Sequence, residues 1–268
     1  MEGLARASDT DAPVYARGVH KSFGATAALR GVDVTVHRGE VVALLGPNGA
    51  GKSTLMRILA TAVVADAGVV RVGGADVVAE PRTARAHLGI VLADERCFYW
   101  RLSGRANLEF FASLHGMPRK QARPVVDEVL EAVGLAPAAD RRVDHYSTGM
   151  RARLGLARAL LGEPSVLLLD EPTRSVDPIG SIELRELVAR TAHERGVAVL
   201  LASHDLHEAA AIADTTLVLA GGEIARVLDS GYDAAALEAV LVAATSRSGA
   251  ATRTQRSTGP TGHSPARP

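Results

Sequence analysis

Gly46-Pro47-Asn48-Gly49-Ala50-Gly51-Lys52-Ser53-Thr54 is the stretch whose reading decides the rest of this chain. An apolar run, Val41-Val42-Ala43-Leu44-Leu45, leads into it and Leu55-Met56-Arg57-Ile58-Leu59 leads out, so it falls where a buried strand hands over to a helix. A G-x4-G-K-[ST] pattern in that setting is a phosphate cradle. Its glycines let backbone N–H groups converge on phosphate oxygens, and the helix N-terminus adds the positive end of a dipole. Lys52 then reaches the β and γ phosphates, and Ser53 offers its hydroxyl to Mg²⁺.

Working outward, 268 residues with 47% hydrophobic content suffice for a full core in one large domain or two lobes. Thirty basic and thirty acidic residues cancel and no basic block stands out, which argues against nucleic acid as partner. The single cysteine, Cys97, excludes an internal disulfide framework. Met1–Asp11 carries acids and no apolar core of a secretory signal. No apolar stretch is long enough to span a bilayer; Ala234–Ala244 is short and interrupted by Glu238. The expectation is a soluble protein whose membrane role, if it has one, comes through a partner.

Residues 1–13 are small, polar and patternless and read as a disordered tail. Val14–Val19, Ala27–Leu29 and Val32–Val36 read as short strands broken by Gly18, Gly24 and Gly31, followed by Gly68–Val72 and Asp76–Val78 around a Gly73-Gly74 turn, which together predict an antiparallel sheet. Phe23 can stack on a base or simply pack at a sheet edge. After another strand at Leu88–Leu92 comes a dense aromatic segment. Five of the nine aromatic residues, Phe98, Tyr99, Trp100, Phe110 and Phe111, fall between 98 and 111.

From Ser103 to Leu161 the pattern is helical, with Val126, Val129, Leu130 and Val133 along one face. Tyr146-Ser147-Thr148-Gly149-Met150 then opens a basic amphipathic helix, a second candidate anion site that taken alone is only an N-cap. Val166-Leu167-Leu168-Leu169 is unbroken apolar sequence ending in Asp170-Glu171. Such a run suits a parallel strand covered on both faces, whose carboxyl end faces ligand; Asp170 is placed to support Mg²⁺ and Glu171 to polarise a water. A helix at Ile182–Ala192, a strand at Val197–Leu201 closed by Ser203-His204-Asp205, and a hairpin over Thr215–Asp229 follow. His204 at a strand end is a candidate γ-phosphate contact. A helix over 231–244 and a disordered tail over 245–268 complete the expected order.

Phe23, the 46–54 loop, residues 146–150, the Asp170-Glu171 strand, Ser175-Val176-Asp177 and His204, in that order, resemble the ATP-binding cassette subunits of ABC transporters over about residues 14–230. The resemblance implies an α/β fold: a P-loop NTPase (RecA-like) core with an antiparallel β subdomain and a helical signature subdomain over about 94–161. By the same resemblance 46–54 is the Walker A loop, Asp170 and Glu171 the Walker B aspartate and catalytic glutamate, Ser147-Thr148-Gly149 the signature, 175–177 the D-loop, His204 the switch histidine and Phe23 the adenine-stacking residue. It implies ATP and Mg²⁺ as ligands and a second cassette as partner, each ATP lying between one copy's Walker A and the other's signature. It further implies a separately encoded membrane permease.

Three positions depart from the family pattern. Thr148 stands where the first glycine after the signature serine is usual, a form similar to cassettes serving ABC-2-type exporters. Ala93-Asp94-Glu95 lacks the Q-loop glutamine. Arg174 replaces a small residue and sets a charge beside the expected dimer seam. The aromatic segment is read two ways, as a groove for the permease's coupling helix or as the helical lobe's own core. The alternative function, a soluble cassette acting on ribosomes or nucleic acid, usually comes with paired cassettes or a long coiled coil, and this chain has neither. A GTPase is excluded by the lack of an [NT]-K-x-D guanine-reading motif.

Overall fold

The computed structural model describes residues 9–92 and 98–256, with side chains as far as Ser246 apart from that of Leu92. Two sheets organise the chain. The first is antiparallel, in the order β2 (Thr26–Val36), β1 (Val14–Phe23), β4 (Ala67–Val72), β5 (Ala75–Asp76). The second runs β10 (Glu223–Asp229), β9 (Thr215–Ala220), β3 (Val41–Leu45), β8 (Ala198–Ser203), β7 (Val166–Asp170), β6 (Leu88–Leu92), all parallel except β10.

The central strands read as continuous apolar runs because both faces are covered. In β7, Val166 and Leu168 point into a core shared with the antiparallel sheet and α1 (Lys52–Leu59), while Leu167 and Leu169 point to the opposite face. Val199 and Leu201 of β8 repeat that alternation. The opposite face packs on α3 (Gly104–Leu114), α4 (Arg119–Ala132), α5 (Thr148–Leu160) and α6 (Pro178–Arg195). A third cluster joins Ala43, Leu45 and Val218 to α7 (Leu206–Ile212) and α8 (Ala234–Arg256) through Ala209, Leu237 and Ala244. The remaining helix, α2 (Pro81–Ala86), leads into β6.

The structure corrects the sequence expectations in four places. Of the glycines read as breaking the first strands, Gly24 does lie in the turn between β1 and β2, whereas Gly18 at φ 59° and Gly31 at φ 83° sit in register shifts within those two long strands; glycine takes such bulge conformations without a Cβ penalty. Strand β5 stops at Asp76, because its Oδ1 accepts from the N–H groups of Val78 (2.8 Å) and Ala79 (2.9 Å) and turns the chain. Within the tail expected over 1–13, residues 9–13 are placed: Asp9–Asp11 forms a 3-10 turn, Ala12 is buried and the Pro13 carbonyl accepts from Gly73 N–H at 2.8 Å. The C-terminal helix runs on to Arg256 through the stretch expected to be disordered from 245; alanine, arginine and glutamine in that stretch are good helix formers.

The aromatic segment divides. Phe98 is buried, with Arg158 5.7 Å over its ring, and it meets Phe111 edge-to-face. Tyr99 and Trp100 are 51% and 43% exposed. Fully buried Asn107 fixes that division, accepting from Tyr99 N–H (2.8 Å) and donating to the carbonyls of Tyr99 (3.1 Å) and Ser103 (2.9 Å).

Candidate active site

All five residues of β3 are buried, and the strand lies between β8 and β9, so its carboxyl end delivers residues 46–51 to the middle of the sheet edge. The loop closes onto α1, whose preceding residue Gly51 has φ 114°. Glycine is required here on space as well as angle. A Cβ at position 46 would lie 2.3 Å from the Leu219 carbonyl oxygen, and one at 51 would lie 2.6 Å from that of Ala28.

Lys52 is the first residue of α1 and only 7% exposed. Its Nζ donates to the carbonyls of Gly46 (2.5 Å) and Pro47 (3.3 Å), folding the side chain back along the loop. Burial pushes its ammonium below the usual lysine range, and the attraction of Glu171 and Asp170 opposes that shift.

Asp170 ends β7, paired with Ala202 on one side and Leu92 on the other. Glu171 N–H donates to the Ala202 carbonyl (2.9 Å), and Glu171 itself has φ 53°. A left-handed backbone at a non-glycine costs about 1–3 kcal/mol and gathers at functional sites. Oε2 of Glu171 meets Nδ1 of His204, which follows the last residue of β8. The Asp170 carboxyl is pushed up, first by burial and then by the negative charge of Glu171. Two crowded carboxylates suit a hard divalent cation, which takes oxygen ligands and relieves that repulsion. Among the described residues no cluster of three or more His, Cys, Asp or Glu stands ready to hold a metal by itself. That is compatible with Mg²⁺, which keeps waters and substrate oxygens as ligands.

A chamber of about 400 Å³ is lined by Leu45, Gly46, Pro47, Asn48, Glu171, Arg174, His204, Leu206 and Leu241. It therefore joins the phosphate loop to the ends of β7 and β8. Phe23 and Ser147 do not line it. The Phe23 ring is 52% exposed, with Lys21 Nζ 5.5 Å from its centroid. Ser147 is exposed and caps α5, its hydroxyl accepting from Met150 N–H at 3.1 Å. Gly149 is buried in the approach of α5 to the start of α6, where a Cβ would meet Gly180 Cα at 3.5 Å. The Q-loop position, Asp94 and Glu95, lies outside the described residues.

Sequence reasoning passed over Glu208 on α7. It is 1% exposed and its Oε2 has no hydrogen-bond partner. Burial pushes its carboxyl up, with hydrogen bonding from Ser203 and Thr173 working against that. Its one sequence signal is a lone acid among apolar residues, in His207-Glu208-Ala209-Ala210-Ala211.

The ABC transporter family model matches residues 29–174, more than half of the chain and inclusive of the loop, the signature and the Asp170-Glu171 strand end. The chain belongs to the ABC transporter family. It is an ATP-binding subunit of that family, an ABC ATPase, as the resemblance implied. The daunorubicin resistance ATP-binding protein DrrA3 of Streptomyces coeruleorubidus is 42% identical over 214 residues, covering 80% of this chain and 67% of that protein. The doxorubicin resistance ATP-binding protein DrrA of Mycobacterium tuberculosis is 40% identical over 216 residues, covering 80% and 65%. This ABC ATPase thus spans about two thirds of those relatives. Among solved structures, cbiO1 of Clostridium perfringens, part of the ABC transporter complex cbiONQ, superposes with a TM-score of 0.76 at 28% identity, covering 82% of this chain and 89% of that one. A dimeric bacterial ABC transporter cassette shares the fold, with a TM-score of 0.70 at 24% identity. The P-loop core and the transporter reading both stand, the latter over a cassette acting on ribosomes or nucleic acid. No described helix is long and apolar enough to cross a membrane.

Proposed function

We propose that this ABC ATPase drives an ABC-2-type exporter by closing with a second cassette around ATP and Mg²⁺. The observation that carries the reading is the split of the site. The phosphate loop, Glu171 and His204 share one chamber, whereas Ser147 faces solvent at the start of α5. A solvent-facing helix start offers the positive end of its dipole to an anion, and a second molecule brings one.

In this reading Lys52 and the loop N–H groups of residues 46–54 hold the phosphates. Ser53 and Asp170 would hold Mg²⁺, which supplies charge neutralisation at the terminal phosphates. Glu171 orients or deprotonates the attacking water, His204 positions Glu171 and senses the γ phosphate, and Phe23 stacks on adenine. Ser147, Thr148 and Gly149 of the partner copy complete the γ-phosphate shell. Residues 14–230 form the ATPase domain, held at the cytoplasmic face of the membrane by a separately encoded permease. Export is supported by Thr148 in the signature and by relatives named for drug resistance.

The test is Glu171→Gln with ATP and Mg²⁺, followed by light scattering and phosphate release. The expected result is a trapped dimer with hydrolysis slowed about 10²–10⁴-fold. A variant that stays monomeric with ATP even beside the permease overturns the reading.

A further inference from the structure

The backbone between Asp170 and Asp177 makes two successive tight turns. Arg174 N–H donates to the Glu171 carbonyl (3.1 Å) and Val176 N–H to that of Thr173 (3.0 Å). Glu171 and Ser175, on either side, both hold left-handed backbone at φ 53° and 68°. Non-glycine residues keep that conformation only where the surroundings over-determine it. The outcome of this bent path is that the Arg174 side chain lines the same chamber as Gly46, Pro47, Asn48, Glu171 and His204.

The donor groups at and beside that chamber are unevenly committed. Lys52 Nζ is engaged by the Gly46 and Pro47 carbonyls, and His204 by Glu171. Among the described residues the Arg174 guanidinium makes no hydrogen bond or ion pair. A guanidinium is always charged, presents a planar fork of donors and grips phosphate through two parallel hydrogen bonds.

We propose that Arg174 is a second phosphate-binding cation of its own subunit's nucleotide site, contacting the terminal phosphates of a nucleoside triphosphate from the side of the Glu171 turn. The inference rests on the nucleotide-site reading above. It makes Arg174 a discriminator between triphosphate and diphosphate, since the turn approaches the end of the phosphate chain.

Calorimetric titration of the full chain with ATPγS and with ADP, each with Mg²⁺ and at a concentration where the protein is monomeric, tests it. Arg174→Ala should weaken ATPγS about tenfold, the loss of one charge-assisted contact, and change ADP less than about twofold. Arg174→Lys should recover only part, because a point charge lacks the fork. Melting curves of both variants should match wild type, as befits an exposed side chain. Wild-type ATPγS affinity in Arg174→Ala, with binding abolished in Lys52→Ala, overturns the role of Arg174 and leaves the nucleotide site intact. Unchanged monomer affinity with loss of ATP-dependent dimerisation also overturns it, assigning Arg174 to the subunit seam. Wild-type protein that binds neither nucleotide would sink the underlying reading itself.

Discussion

Nδ1 of His204 sits against Oε2 of Glu171, closing the gap between the ends of two adjacent parallel strands. The imidazole thereby orients the carboxylate, and the proposed hydrolytic role of the two predicts that they act as a unit. His204→Ala should keep ATP binding and slow single-turnover hydrolysis about 10²-fold. Combined with Glu171→Gln, the double variant should be scarcely slower than the worse single one, since residues acting as a unit are non-additive. Multiplicative losses in the double variant would separate the two.

Lys52 is a buried cation that the fold keeps at some cost to stability. Lys52→Met fills similar space without the charge. Nucleotide binding should fall beyond detection, whereas the melting temperature of the ligand-free protein should hold or rise. A clear drop in melting temperature would show Lys52 to be structurally required.

Phe98 and Trp100 make opposite predictions from neighbouring positions. Phe98→Ala opens a hole in the core and should cost about 3–5 kcal/mol in denaturant unfolding. Trp100→Ala loses mainly the contact with Arg151, whose Cζ lies 5.3 Å from the ring centroid, and should cost about 1 kcal/mol or less. Together with Tyr99→Ala it should leave basal ATP hydrolysis intact and uncouple transport in membranes containing the permease.

Glu208 gives the fold a dependence on acidity. Its folded pKa is raised above the ordinary 4.5, so the folded state binds the proton more tightly than the unfolded chain. The stabilising contribution is complete below 4.5 and is lost as pH climbs through the folded value. Glu208→Gln cannot ionise, and the decline of its melting temperature from pH 5 to pH 8 should be shallower than that of wild type. Parallel profiles would place the dependence elsewhere.

The parts of this architecture that could be read from residues were those whose cause is local. The phosphate loop announces itself because its glycines, lysine and flanking strand are contiguous, and β7 and β8 because unbroken apolar runs have few uses. What escaped depends on distant partners. Gly18 and Gly31 looked like strand breaks, since only pairing with a neighbour shows a glycine to be a bulge. The Glu171–His204 contact requires knowing that β7 lies beside β8, a fact of strand order. Glu208 resembles any solvated acid on a helix until α7 is packed against the sheet. Tyr99, Trp100 and Phe98 are indistinguishable as letters; the amide of Asn107 sorts them.

Leu241 of α8 stands in the wall of the chamber that Gly46, Glu171 and His204 also line, and α8 runs on to Arg256. One helix thus reaches from the wall of the candidate site to the last described turn of the chain. A fluorophore or affinity handle attached at that end would share its helix with the chamber wall, which makes it the wrong place for a label meant to be inert.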